Sequence, residues 1–193
     1  MPLSSKSSPE ITPGRLIVIA GPGGVGKSTI VDELRRKLPL HFSVSATTRD
    51  PRPGEVHGFH YRFVTRHEFE RLIDADDLLE WAVFNGNYYG TPRDAVVAGL
   101  EEGRDVLLEI EVQGAFQVHR VMPEAVMIFV APPSMEALHK RLATRADTTD
   151  ADIVAKLRIA EEELQAAPEL FDHIVVNDDV ERAVGEIMGI LAV

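Results

Sequence analysis

Short β-branched apolar runs alternate along the chain with stretches in which apolar residues recur at helical spacing. Arg15–Ala20 is such a run, and it leads directly into glycines, which suits a strand buried on both faces. From Lys27 to Leu38, the residues Ile30, Val31, Leu34 and Leu38 fall on one helical stripe. The same reading predicts buried strands at Asp105–Ile110 and Ala125–Val130, the second stopped by Pro132 and Pro133. It predicts helices at about Val112–Val121, Met135–Thr144 and Ala151–Ala166, a short strand at His173–Val176 and a closing helix at Val180–Leu191. This alternation predicts an α/β fold, a parallel β-sheet flanked by helices and joined by right-handed crossovers.

Between Ser43 and Asp94 the rhythm fails. A Pro/Gly/Arg-rich loop (Arg49 to Gly58) precedes a strand at Tyr61–Val64, an amphipathic helix near Glu68–Ala75 and a turn-rich stretch, Asn85–Pro92. The segment reads as a small insert on the main core. A second polar interruption, Arg145–Asp152, separates two helices, and no internal repeat is evident.

Composition narrows the chemistry. The 193 residues are enough for one compact domain with small inserts, and 45% hydrophobic with 26% charged residues is ordinary for a globular protein. A formal net charge of -11 argues against a nucleic-acid surface, although a few clustered arginines can still hold a small phosphorylated ligand. The absence of cysteine excludes disulfides, thiolate metal sites and cysteine nucleophiles. No apolar run is long enough to span a bilayer. Met1 to Pro13 are rich in Ser and Pro and read as a loose tail, so the default expectation is a cytoplasmic protein.

Gly21-Pro22-Gly23-Gly24-Val25-Gly26-Lys27-Ser28 fits G-x-x-x-x-G-K-[ST] between a predicted strand and a predicted helix, the context this motif requires. Its glycines let backbone N–H groups turn toward phosphate oxygens, and the following helix N-terminus adds a favourable field. Gly21 through Thr29 are therefore assigned to ATP, with Lys27 on the β/γ-phosphates and the Ser28 hydroxyl on Mg²⁺.

The acceptor is read from the insert. Arg49 and Arg52 flank Pro51, and two forked guanidinium groups on a rigid turn suit a phosphate dianion; Tyr61 and Tyr89 could add neutral O–H donors. The bland alternative is a solvated basic loop. Glu80 is an acid inside Leu78-Leu79-Glu80-Trp81-Ala82. Guanine offers N1–H and N2–H₂ side by side to a carboxylate, whereas adenine would leave the acid unsatisfied. The alternative is a surface acid on an amphipathic helix.

In these and further motifs the chain closely resembles guanylate kinases. The resemblance runs from about Arg15 to the C-terminus. It is carried by Ser43-Val-Ser45-Ala-Thr-Thr48-Arg49-Asp-Pro-Arg52-Pro-Gly-Glu55, Gly58-x-x-Tyr61-x-Phe63, Glu80-Trp81-Ala82, Gly86-Asn-Tyr-Tyr89-Gly90-Thr91, Gln113-Gly114, Ala131-Pro-Pro-Ser134 and Val176-Asn177-Asp178. It implies a P-loop NTPase core, a GMP-binding insert and a short lid. The boundaries are a tail at 1–13, core at 14–42, 97–135 and 159–193, insert at 43–96 and lid at 136–158.

By the same resemblance Arg49, Arg52, Tyr61 and Tyr89 hold the GMP phosphate, and Ser45, Glu80 and Thr91 read the guanine. Arg141 and Arg145, four apart on a predicted helix, are lid residues that close over the transferred phosphate. Asn177 lies near the donor adenine, unless it is only a turn-forming residue. Glu109 and Glu111 flank Ile110 at a strand end; Glu109 could order Mg²⁺-bound water and Glu111 the acceptor, or both could be solvated acids. The implied reaction is ATP + GMP = ADP + GDP in purine nucleotide metabolism, with small-molecule nucleotides as partners.

The chain also departs from the family. Glu111 stands where most members have aspartate, Ala146, Asp147 and Thr148 replace the usual lid residues, and Lys156 replaces an expected arginine. Lysine keeps the charge but loses the fork. These departures keep open a preference for dGMP, a modified guanylate or another phosphorylated small molecule. A guanylate-kinase-like binding module without chemistry is a further alternative, although such modules typically have a degraded phosphate loop.

Overall fold

A computed structural model of the chain describes residues 12–84, 86–144 and 149–192. The elements begin with β1 (Leu16–Ala20), α1 (Lys27–Lys37), β2 (His41–Phe42), β3 (Ala46–Thr47), β4 (Arg62–Phe63) and α2 (Arg66–Asp74). A hairpin, β5 (Leu78–Phe84) and β6 (Asn87–Pro92), leads into α3 (Arg93–Glu101). Then follow β7 (Val106–Glu109), α4 (Val112–Val121), β8 (Val126–Ala131), α5 (Met135–Ala143), α6 (Asp150–Leu170), β9 (His173–Val176) and α7 (Val180–Leu191).

The central sheet has the order β2-β7-β1-β8-β9, and every pair in it is parallel. β1 is buried along its whole length, as an unbroken apolar strand must be when helices cover both faces. The pleat divides its side chains. Ile17 and Ile19 join Ile30 and Leu34 of α1 and Val184 and Ile187 of α7, whereas Leu16 and Val18 join Val112 and Val118 of α4 and Ala167 of α6. Register sets Ile19 beside Glu109 and Ala20 beside Phe129, so the C-terminal ends of β1, β7 and β8 form one rim. Ligands bind at such rims in open α/β sheets.

The second sheet, β4-β3-β6-β5, is drawn wholly from residues 46–92. Phe69 of α2 fills its core against Ala46 and Leu78, and α2 starts with a capping box between Thr65 and Glu68. The pairing of α5 and α6 is held by Leu138, Leu142, Ile153 and Ala160.

Three expectations change here. The turn-rich stretch Asn85–Pro92 is mostly strand: Phe84 pairs with Asn87, leaving room for a two-residue connection in which Gly86 has a φ of 76°. Helix α3 is unanticipated, because apolar residues surround it too evenly to mark one face. Helix α6 does not stop near Ala166 but runs through Pro168 to Leu170, with Ala160, Ala167 and Leu170 buried. Proline removes one hydrogen bond near the helix end, and packing of that buried face offsets the loss. Met1 to Ile11 of the expected tail lie outside the described residues.

Phe129 is fully buried and meets the ring of Phe171 edge-on at 5.2 Å between centroids. Replacing Phe129 with alanine is expected to lower unfolding free energy by about 3–5 kcal/mol, through lost transfer energy and an unfilled cavity. Urea denaturation would measure this, and a loss below about 1 kcal/mol would show that the core does not depend on that contact.

Candidate active site

The loop from Gly21 to Gly26 leaves the rim at the end of β1 and turns into α1. Gly26 is the N-cap, with a φ of 100° that side-chain-bearing residues avoid, and no side chain caps the helix. The first-turn N–H groups of α1 are thus left for an anion. The loop is braced from behind. Asn177 Nδ2 donates to the Val25 carbonyl at 2.8 Å, Arg141 Nη1 donates to the same carbonyl at 2.9 Å, and Arg141 Nη2 donates to the Asn177 carbonyl at 2.8 Å. Asn177 is buried, so it is a brace and not a turn residue.

Lys27 is buried among loop carbonyls, donating to Gly21 O at 2.5 Å and Pro22 O at 3.3 Å, with Glu111 Oε1 at 3.8 Å. Ser28 Oγ donates to Glu109 Oε1 at 2.7 Å. Burial pushes the Glu109 carboxyl up, with the Ser28 bond and the Lys27 charge opposing. The strand stops at Glu109, so Glu111 is not a strand residue on the same face but the N-cap of α4, with its side chain 58% exposed. Glu163 on α6 was not anticipated. One of its oxygens is buried without a hydrogen bond, and burial, aided by the charge of Glu111, pushes it to about 7. Nothing in a helical run of Glu161-Glu162-Glu163 marks the third acid from sequence.

The residues present fit Mg²⁺ carried on a nucleotide. A serine hydroxyl and a carboxylate, both hard oxygen donors, stand together beside the phosphate loop. Among the described residues no group of three or more His, Cys, Asp or Glu could cage an ion. An ion bound largely by phosphates and water needs none.

The second half of the site lies on the small sheet. Glu80 and Thr91 are opposite each other on β5 and β6, both buried, and Thr91 Oγ1 donates to Glu80 Oε1 at 2.7 Å. Glu80 is thereby a strand residue facing inward, not a surface acid on a helix. Burial pushes its carboxyl up to about 7, with the Thr91 bonds opposing and the charge of Glu111 adding to the rise. A β-carbon on Gly114 of α4 would stand 2.4 Å from Glu80 Oε2, so only glycine lets the helix approach the acid this closely.

Tyr61 and Tyr89 meet edge-on at 6.1 Å, and burial holds the Tyr61 hydroxyl protonated, pushed up to about 12. The Arg49 guanidinium lies 5.4 Å from the Tyr61 ring centre and forks onto Glu55 with two bonds of 2.9 Å. That pairing holds Glu55 down at about 2. Glu55 also accepts from the Arg52 main-chain N–H at 2.6 Å, so it organises the turn that carries both arginines. Ser45, just before β3, accepts at its carbonyl from the Arg62 N–H of β4 at 2.8 Å. Arg145 lies outside the described residues, and the helix expected to carry both lid arginines stops at Ala143.

Comparison with known proteins places the chain in one family. The family model described as "Guanylate kinase" matches residues 13–192. The chain is similar to a guanylate kinase of Synechococcus sp. (strain JA-3-3Ab), 52% identical over 184 residues, covering 95% of this chain and 84% of the relative. It is 50% identical over 179 residues to a guanylate kinase of Desulfitobacterium hafniense (strain Y51), covering 92% and 89%. The crystal structure of a guanylate kinase from Anaplasma phagocytophilum superposes with a TM-score of 0.77 at 35% identity, covering 94% of this chain and 86% of that one.

Burial of Glu80 makes stability pH-dependent. Its carboxyl ordinarily titrates at 4.5 and in the fold near 7. Below that window both folded and unfolded chains hold the proton. As pH rises through it the unfolded chain releases the proton first, so stability is lost, on the order of 3 kcal/mol by pH 8. Glu163 titrates in the same window, so the comparison is with Glu80→Gln. Denaturant curves between pH 4.5 and 8 are expected to fall more steeply for the wild type than for the variant; parallel profiles would contradict the assignment.

Proposed function

The chain belongs to the guanylate kinase family, and on that footing we propose that it moves the γ-phosphoryl group of ATP onto GMP, giving ADP and GDP. The observation that carries this reading is the facing of two unlike sites. A phosphate loop with an uncapped helix N-terminus and a buried lysine lies on one side, and a buried acid–threonine pair lies on the other. Glu111 relates them, 3.8 Å from Lys27 and close enough to raise Glu80.

In this reading the core, with the loop from Gly21 to Thr29, takes ATP, and the insert at 43–96 takes GMP. Glu80 accepts the guanine N1–H and N2–H₂, held in register by Thr91, with Ser45 at the same edge. Arg49, Arg52, Tyr61 and Tyr89 surround the GMP phosphate. Glu55 takes the forked face of Arg49 and fixes its side chain, so that its remaining N–H groups need less ordering when an anion arrives. Lys27 neutralises the β/γ-phosphates. Mg²⁺ on the nucleotide would rest on the Ser28 hydroxyl, with Glu109 ordering its water, and would supply charge neutralisation of the transferring group. Arg141, which also braces the loop, and Arg145 are the lid cations that close over the transferred phosphate. Asn177 contributes to ATP binding by holding Val25 in place.

No general base is required, since a phosphate monoester has a second pKa of about 6 and reaches the site largely as a dianion at pH 7. What remains is alignment, charge compensation and exclusion of water. The lid departures at 146–148 lie outside the described residues, while Lys156 lies on α6.

Two measurements test the reading. Lys27→Ala is expected to lower kcat by roughly 10²–10³-fold, as for loss of one preorganised donor to transition-state charge, while calorimetric GMP affinity stays within about twofold; equal loss of both would break the division between the two sites. With ATP and Mg²⁺, a coupled assay over GMP, dGMP, AMP, UMP and CMP is expected to rank guanine acceptors first. An acceptor lacking guanine at the head of that panel would overturn the role of Glu80.

A further inference from the structure

Helix α4 carries Glu111 at its N-cap, then Gly114 and Gln117 at successive intervals of three. Residues so spaced share one helix face, and each of these meets a different part of the site. Glu111 approaches Lys27, and Gly114 lies against the Glu80 carboxylate. Gln117 meets the backbone beyond Glu80. Its Nε2 donates to the Trp81 carbonyl at 2.7 Å, and its Oε1 accepts from the Trp81 N–H at 3.2 Å.

Among the described residues β5 is an edge strand, paired only with β6. Backbone groups on its open side need partners from elsewhere. The primary amide of Gln117 offers one donor and one acceptor in the arrangement of a neighbouring strand's peptide. Trp81 is the residue after Glu80 and pairs across the hairpin with Gly90, next to the Glu80–Thr91 pair. The main chain on both sides of the Glu80 side chain is therefore tied, by β6 on one edge and by α4 on the other.

We propose that Gln117 is a positioning residue for purine selection: by clamping the Trp81 backbone to α4 it sets where the Glu80 carboxylate stands over Gly114. The inference rests on the reading of Glu80 as the acid that accepts guanine. A merely structural glutamine would affect stability and both substrates alike. A positioning clamp affects the acceptor, and within the acceptor the part that Glu80 reads.

The test uses the full chain as wild type, Gln117→Ala, Gln117→Met and Glu80→Gln. Steady-state kinetics are measured with GMP, with inosine monophosphate (which keeps N1–H but lacks the 2-amino group) and with ATP varied, alongside hydrogen exchange at the Trp81 amide. Gln117→Ala is expected to raise KM for GMP on the order of tenfold, as for loss of a pair of modest hydrogen bonds. KM for ATP should stay within about twofold, the preference for GMP over inosine monophosphate should shrink, and the Trp81 amide should exchange about tenfold faster. Gln117→Met keeps the bulk and removes the amide, so it should match Gln117→Ala. Wild-type behaviour of Gln117→Met would assign the effect to packing and overturn the clamp. So would an unchanged Trp81 exchange rate, or parallel losses for ATP and GMP. If Glu80→Gln loses GMP preference while Gln117→Ala keeps it, only the clamp fails; if Glu80→Gln itself keeps wild-type preference, the reading of Glu80 fails beneath it.

Discussion

Two phosphorylated anions repel each other, and a protein that aligns them end to end must gather compensating charge at one point. This chain does so with a formal net charge of -11, and with several carboxyl groups, Glu55, Glu80, Glu109, Glu111 and Glu163 among them, in or beside the candidate site. Burial raises the cost of three of these charges: Glu80, Glu109 and Glu163 are all pushed up by desolvation. The buried Lys27 and the uncapped N-terminus of α1 supply positive charge and field against them.

The phosphate loop keeps its shape because other elements hold its back. Val25 receives two donors, one from Asn177 after β9 and one from Arg141 on α5. Arg141 thereby joins α5 to the loop beneath it. A shift of α5 would reach the loop through these bonds without any change in the loop's own sequence. The acceptor side has a comparable support in Glu55, which pins Arg49 and the Arg52 backbone together.

α4 ties the halves together. One face of a single rigid helix touches Lys27 through Glu111, Glu80 at Gly114 and Trp81 through Gln117. A helix transmits position with little loss along two turns, whereas a loop of the same length would not. The Gly21–Gly26 loop and the Glu80–Thr91 pair are therefore referenced to a common element, even though they belong to different sheets.

Much of this was legible in the chain itself, for a physical reason: it depends on local spacing. The strand–glycine–helix order of residues 15–38 sets the loop ahead of α1, unbroken β-branched runs set the parallel sheet, and forked arginines on a Pro-rich turn are the basis for proposing an anion site. Glu80 was visible as an acid in an apolar run, but not as a strand residue, because a short apolar stretch fits either period. What only the tertiary structure decided are relations between residues far apart in sequence. Gly114 under Glu80, Gln117 on the Trp81 backbone, Asn177 and Arg141 behind Val25, and Glu163 near Lys27 each join segments that no periodicity links. Their roles come from burial and approach distance, which exist only once the sheets and helices have packed.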